Sequence, residues 1–179
     1  IQLQCFCFIM QENGVNKLYI LTGKIHSGKT TALAEWLKNR DDSAGVLSPL
    51  VNRKRILLDI KSKDIRLFEV SKTEDSSDTV SIGKYKFDKA AFDWGNERIE
   101  AGINTGNNWL IVDEFGHIEL DGNGFFNSVS MLIQKVKEGT APNAIIVVRD
   151  YLIDEFIGKY ELEDFQFSII DKEKLNSLL

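Results

Sequence analysis

Two short stretches hold residues whose types and spacing could do chemistry. In Gly23-Lys24-Ile25-His26-Ser27-Gly28-Lys29-Thr30, two glycines bound a loop that closes on Lys-Thr. Gly23 and Gly28 permit backbone conformations and close approaches that a Cβ would forbid. The N–H groups from Gly23 through Thr31 can then turn inward as a nest for anions. A helix starting near Lys29 adds its unsatisfied N–H groups and the positive end of its dipole. Lys29 would reach the outer phosphates of a polyphosphate, and Thr30 would offer its hydroxyl to Mg²⁺. The second stretch, Asp113-Glu114, places two carboxylates directly after an apolar run. Asp113 is the candidate second ligand for Mg²⁺, opposite Thr30. Glu114 is the candidate to orient or deprotonate an attacking water. Arg149 follows another apolar run and is the first candidate to neutralise charge on a transferring phosphoryl group, with Arg55 and Arg53 behind it.

Either stretch alone has an ordinary explanation. A turn before a helix can carry the four loop positions by chance, and apolar strands often end in acidic residues. Solvated loop arginines and surface ion pairs are common too. What raises the pair above chance is the frame around them. Leu18-Tyr19-Ile20-Leu21 reads as a buried strand before the loop, and residues 29–39 read as a helix after it. Trp109-Leu110-Ile111-Val112 and Ala144–Val148 are unbroken apolar runs of the length of central parallel strands. In an open α/β sheet, ligands sit at the carboxyl edge of such strands, which brings loop, carboxylates and Arg149 to one side.

The rest of the chain fits that frame. Ala44–Leu50 reads as a strand ended by Pro49, and residues 55–60 and 65–70 as a hairpin around Lys61–Asp64. Residues 73–78 read as an acidic, hydroxyl-rich loop, and Tyr85–Phe87 as a short strand. Asp88 reads as the cap of a helix to Gly102, and residues 125–137 as a helix closed by Gly139 and Pro142. Leu152–Tyr160 reads as helix, Phe165–Ile170 as strand and Lys172–Leu179 as a closing helix. Strands and helices alternate, so the expected class is α/β: a mostly parallel sheet flanked by helices, with the hairpin inserted. Residues 17–179 form one domain, and residues 1–16 an N-terminal extension or edge strand, with Asn13-Gly14 as a turn. The chain opens on Ile1 rather than Met, which reads as a processed, trimmed or excised polypeptide.

Composition narrows the partners. Lys plus Arg number 22 against 27 Asp plus Glu, a formal net charge of −5, which argues against a broad nucleic-acid footprint. Cys5 and Cys7 alone can build neither a disulfide framework nor a zinc site, the pattern of a reduced cytoplasmic protein. No apolar stretch approaches the length needed to span a bilayer, and no protein partner is legible. His26 reads as facing solvent or the nucleoside, His117 as a structural hydrogen-bonding residue, and Trp36, Trp94 and Trp109 as core.

The stretch Asp113-Glu114-Phe115-Gly116-His117-Ile118-Glu119-Leu120 resembles a motif of the small P-loop nucleoside-triphosphatases typified by the thermophilic and cancer-related NTPases. Gly45–Pro49 and Ile82-Gly83-Lys84-Tyr85 are similar to further family features, and the resemblance runs from about Lys17 to Ile170. It implies a Rossmannoid fold related to the RecA and AAA ATPases. It also implies Mg²⁺-dependent hydrolysis of ATP, GTP and other nucleoside triphosphates to the diphosphate, slowly and with loose base selectivity. By the same resemblance Gly23, Gly28, Lys29 and Thr30 serve phosphate and Mg²⁺, Asp113 and Glu114 serve metal and water, and Glu119 belongs to the motif. The chain departs from the family pattern at Leu50, at Arg55-Ile56-Leu57-Leu58 and at Arg149-Asp150, where a His/Arg-rich stretch is reduced. Two other readings share the site: a nucleotide or small-molecule kinase, disfavoured because residues 149–170 offer only Arg149 for an arginine-rich lid, and a nucleotide-switched binding module using the loop at Lys72–Thr79.

Overall fold

The computed structural model describes residues 17–70, 78–83 and 85–178. The strand expected at Leu3–Ile9, the Asn13-Gly14 turn, both cysteines, Lys84 and nearly all of the Lys72–Thr79 loop lie outside the described residues.

The elements follow in chain order: β1 (Leu18–Leu21), α1 (Lys29–Trp36), β2 (Ser43–Leu47), β3 (Leu50–Val51), β4 (Lys54–Asp59), β5 (Ile65–Leu67), β6 (Glu69–Val70), β7 (Thr79–Ile82) and β8 (Tyr85–Asp88). Then come α2 (Lys89–Asn104), β9 (Trp109–Phe115), α3 (His117–Leu120), α4 (Phe126–Lys137), β10 (Asn143–Val148), α5 (Ile153–Lys159), β11 (Phe167–Ile170) and α6 (Lys172–Leu175). The main sheet runs β11-β1-β10-β9-β2 in parallel, and antiparallel β4 continues it beyond β2. A mostly parallel sheet with helices on both faces is thus the architecture, as the alternation of elements predicts.

The central strands are apolar throughout because both their faces are covered. On β10, Ala144, Ile146 and Val148 enter the core that α2, α4 and α5 close. Ile145 and Val147 enter the opposite core, under α1 and α6. Trp36 and Trp109 meet edge-to-face there at 5.1 Å, so these two are core residues, while Trp94 is half-buried with Arg66 and Arg98 against its ring.

Several boundaries differ from expectation: the closing helix stops at Leu175, β11 begins only at Phe167, and α2 runs on to Asn104. Two others differ for physical reasons that shape the site. Residues 44–50 are not one strand: the chain breaks at Ser48-Pro49, yet β2 and β3 pair with β4 in one shared register, so they act as a single bent arm. Its turn, Asn52-Arg53, has both residues at positive φ (49° and 66°), the geometry of a two-residue hairpin. Residues 65–70 divide at Phe68, whose ring turns inward to Phe87 and Phe92, each 4.8 Å away, and whose neighbour strand β6 joins a separate β6-β8-β7 sheet. Strand β9 carries Asp113 and Glu114 at its carboxyl end, as expected, and runs one residue further to Phe115.

The loop after β9 is pinned from inside. Glu119 is 2% exposed, and its carboxylate accepts from the backbone N–H of Gly116 (2.8 Å) and of Phe125 (3.2 Å). A Cβ at Gly124 would lie 2.3 Å from Glu119 Oε1, so the loop closes around the carboxylate only because that residue is glycine. Burial pushes the Glu119 carboxyl up to about 7 from its usual 4.5, against the lowering pull of the two N–H donors.

Two outcomes are expected from this frame. Gly45 pairs with Ile111 at φ +105°, and a Cβ there would stand 2.0 Å from the Ile111 carbonyl oxygen. Gly45→Ala is expected to lower unfolding free energy by about 3 kcal/mol or more, read as the shift of the urea midpoint. The folded Glu119 holds its proton to a higher pH than the unfolded chain, so it contributes a loss of stability as pH rises from about 4.5 to about 7. Glu119→Gln is expected to flatten that slope in urea titrations across this window, even though the variant is less stable at every pH; an unchanged slope would show that Glu119 does not titrate there.

Candidate active site

Strand β1 delivers the loop at its carboxyl end, where the Thr22 N–H donates to the Ile170 carbonyl of β11 (2.9 Å). Gly23 takes φ +146° and Gly28 φ +86°, the latter capping α1 with no side chain over the first turn. That leaves the first-turn N–H groups for an anion. Lys24, Ile25 and His26 are exposed at the tip, with His26 at φ +61°, while Ser27 is half-buried. The Lys29 ammonium is folded inward, donating to the carbonyls of Gly23 (2.8 Å) and Lys24 (3.1 Å). Thr31 faces solvent on the first turn, whereas Thr30 turns toward the carboxylates. Lys172, the first residue of α6, donates to the Ser27 carbonyl at 3.0 Å. Sequence reasoning passed over it; the signal was its place two residues after a strand neighbouring β1.

Asp113 has no exposed surface. Its Oδ2 accepts from the Ser48 N–H (3.0 Å), and the Thr30 hydroxyl lies close enough to lower its pKa. Oδ1 is buried without a hydrogen-bond partner among the described residues. Burial raises the Asp113 carboxyl to about 6, with the neighbouring Glu114 charge adding to the rise and Ser48 and Thr30 opposing it. The peptide bond between Asp113 and Glu114 is cis. A hydroxyl and a carboxylate with one oxygen unspent form a hard-oxygen donor pair of the kind Mg²⁺ takes when it keeps several waters and phosphate oxygens. No group of three or more His, Cys, Asp or Glu among the described residues could hold a metal alone. The donors present therefore fit Mg²⁺ brought with a polyphosphate.

Glu114 forms an ion pair with Arg149 through Oε1 and Nε. Arg149 also donates to the Tyr151 hydroxyl (3.1 Å). Its burial would lower the guanidinium pKa, but the Tyr151 hydrogen bond and the Glu114 carboxylate outweigh that and hold it above its usual value. Arg55 reaches the same cleft and donates to the Ser48 carbonyl (3.2 Å). Arg53 does not: it occupies the exposed hairpin turn. Beyond Glu114 the cleft is walled by Phe68, Phe87, Phe92 and Phe125. His117 lies on its rim, exposed, with its ring 5.7 Å from that of Tyr151. The structural hydrogen-bonding role expected for His117 is corrected accordingly, since no hydrogen bond forms to its side chain among the described residues. Tyr151 itself, a rim residue that orients Arg149, was not legible from any motif.

Comparison with known proteins agrees with this frame. A family model described as NTPase matches residues 18–179. A crystal structure of THEP1 from the hyperthermophile Aquifex aeolicus superposes with a TM-score of 0.66 at 20% sequence identity, over 90% of this chain and 96% of that one. A solution structure of a human cancer-related nucleoside triphosphatase superposes with a TM-score of 0.58 at 18% identity, over 91% of this chain and 93% of that one. At these identities the likeness is one of fold. Curated proteins offer no match to the sequence. The family model spans nearly the whole described chain, phosphate loop and paired carboxylates included, and on that match the chain belongs to the NTPase family.

Proposed function

We propose that this protein hydrolyses ATP, GTP and other nucleoside triphosphates at the β–γ bond, dependent on Mg²⁺, slowly and with weak base selectivity. The observation that carries the reading is the meeting of Thr30 with the fully buried Asp113 carboxylate, one oxygen of which has no partner. Thr30 and Asp113 would hold Mg²⁺, which when bound neutralises charge across the β- and γ-phosphate oxygens.

The chain's own groups do the rest. The Gly23–Thr31 backbone cradles the phosphates. Lys29 exchanges its bonds to Gly23 and Lys24 for phosphate oxygens. Glu114 orients water and accepts its proton as the new oxygen–phosphorus bond forms and the bond to the bridging oxygen breaks. Arg149 would stabilise the departing charge, but in this conformation it is committed to Glu114. Separating that pair precedes each turnover, which supports slow hydrolysis. The loose base selectivity rests on the family resemblance.

A second reading, transfer to a hydroxyl of a small molecule, is favoured by one feature: the phenylalanine-walled cleft beyond Glu114 offers more apolar surface than water needs. Phosphate appearing only when an acceptor alcohol is added would establish it.

Phosphate release from each triphosphate with Mg²⁺ and no acceptor tests the first reading. Release is expected from several nucleotides, lost on chelation, abolished in Lys29→Ala and lowered at least about tenfold in Glu114→Gln. Wild-type-like release by Glu114→Gln would dismiss it as the proton acceptor. Arg149→Ala is expected to lower kcat by about a hundredfold or more with little change in KM, because its work falls in the transition state.

A further inference from the structure

The outer arm of the sheet, β3-β4-β5, is built unlike the rest of the molecule. Its core-facing side is ordinary, with Leu57 fully buried. Its other side carries the cross-strand pairs Ile56–Leu67 and Leu58–Ile65, with Val51 beside them. Leu58 on that side is half-buried against the core under α1 and α6, but toward the edge the strip is open among the described residues: Val51 is 45%, Ile65 59% and Leu67 52% exposed.

The edge is open as well. The Phe68 N–H donates to the Arg55 carbonyl (3.2 Å) and the Asp59 N–H to the Asp64 carbonyl (2.9 Å). In an antiparallel ladder this alternation turns the N–H and C=O groups of Ile65 and Leu67 away from β4. Among the described residues, no strand pairs with them. Residues 50–67 also concentrate positive charge: Arg53, Lys54, Arg55, Lys61, Lys63 and Arg66 against Asp59 and Asp64, a local +4 in a chain of formal net charge −5. Arg53, Lys54 and Lys63 are exposed and form no ion pair among the described residues.

We propose that β5 is a docking edge for an extended acidic peptide, which adds as a further strand and lays alternate apolar side chains on Val51, Ile65 and Leu67. Main-chain hydrogen bonds to Ile65 and Leu67 supply affinity, and the lysines and arginines select acidic side chains. Charge decides between occupants. A second copy of the chain would set +4 against +4, so the same lysines that guard the edge against self-pairing leave it open to an acidic strand. Nucleic acid would match the charge, but it would leave the apolar strip and the open backbone unused, and the strip offers no exposed aromatic ring for a base to stack on. The arm is continuous with Arg55 and Ser48 in the cleft.

Fluorescence anisotropy with a labelled ten-residue peptide alternating Glu and Val tests this. Saturable binding is expected, weakening as salt rises. The matching Lys/Val peptide is expected to bind at least about tenfold more weakly. Ile65→Pro removes an outward N–H without touching the β4 ladder. It is expected to weaken binding at least about tenfold while leaving the thermal midpoint and basal phosphate release unchanged, and Lys54→Glu with Lys63→Glu to weaken it further at low salt. The proposal is overturned if Ile65→Pro binds like the wild type, if both peptides bind equally, if an oligo-dT strand competes more strongly than the acidic peptide, or if sedimentation shows that the edge is taken by a second copy. Basal hydrolysis uses none of these three residues, so its presence or absence leaves the binding result standing on its own.

Discussion

A carboxylate withdrawn wholly from solvent is the constraint around which the site is arranged. Burying Asp113 is unfavourable unless its oxygens are met, and the chain meets only part of the need: Ser48 supplies one N–H, Thr30 lends a hydroxyl, and Oδ1 is left over. The partners come from three separated segments. The end of β2 must lie beside β9 so that Ser48 faces Asp113, which requires the close backbone approach that only Gly45 allows. The phosphate loop must hold Thr30 from the other side, at the end of β1, two strands from β9 with β10 between them. A shift in any of these pairings would strand the charge, so stability and site geometry answer to the same contacts.

A second electrostatic arrangement governs how the site behaves. Glu114 on β9 and Arg149 just after the adjacent β10 neutralise each other, while Tyr151 steadies the guanidinium from the rim. Both side chains are partly exposed, so the pair is open to exchange with water and phosphate, unlike Asp113. The buried carboxylate gives the site its fixed reference, and the exposed pair gives it its movable parts.

Much of this was legible in the residues themselves. Leu18–Leu21, Trp109–Val112 and Ala144–Val148 announce buried parallel strands because strands covered on both faces have no polar side to blur the pattern. The Gly23–Thr30 spacing is local, so it survives without knowledge of the fold. What stayed hidden was tertiary. The Ser48 N–H, Lys172 and Tyr151 reach the site only through sheet order, which no window of sequence contains. Phe68 broke an expected strand because an aromatic cluster drew it inward, a packing preference stronger than local alternation. Glu119 stood in a recognisable motif, but its role as a buried fastener depends on Gly124, five residues on, making room for it.

The lysine that α6 extends to the Ser27 carbonyl ties that helix to the loop between β1 and α1. A loop whose carbonyl is tethered to the last helix samples fewer shapes before substrate arrives, so part of the ordering cost of binding is met during folding. The short closing helix α6 thus acts as a strut on the loop that β1 delivers.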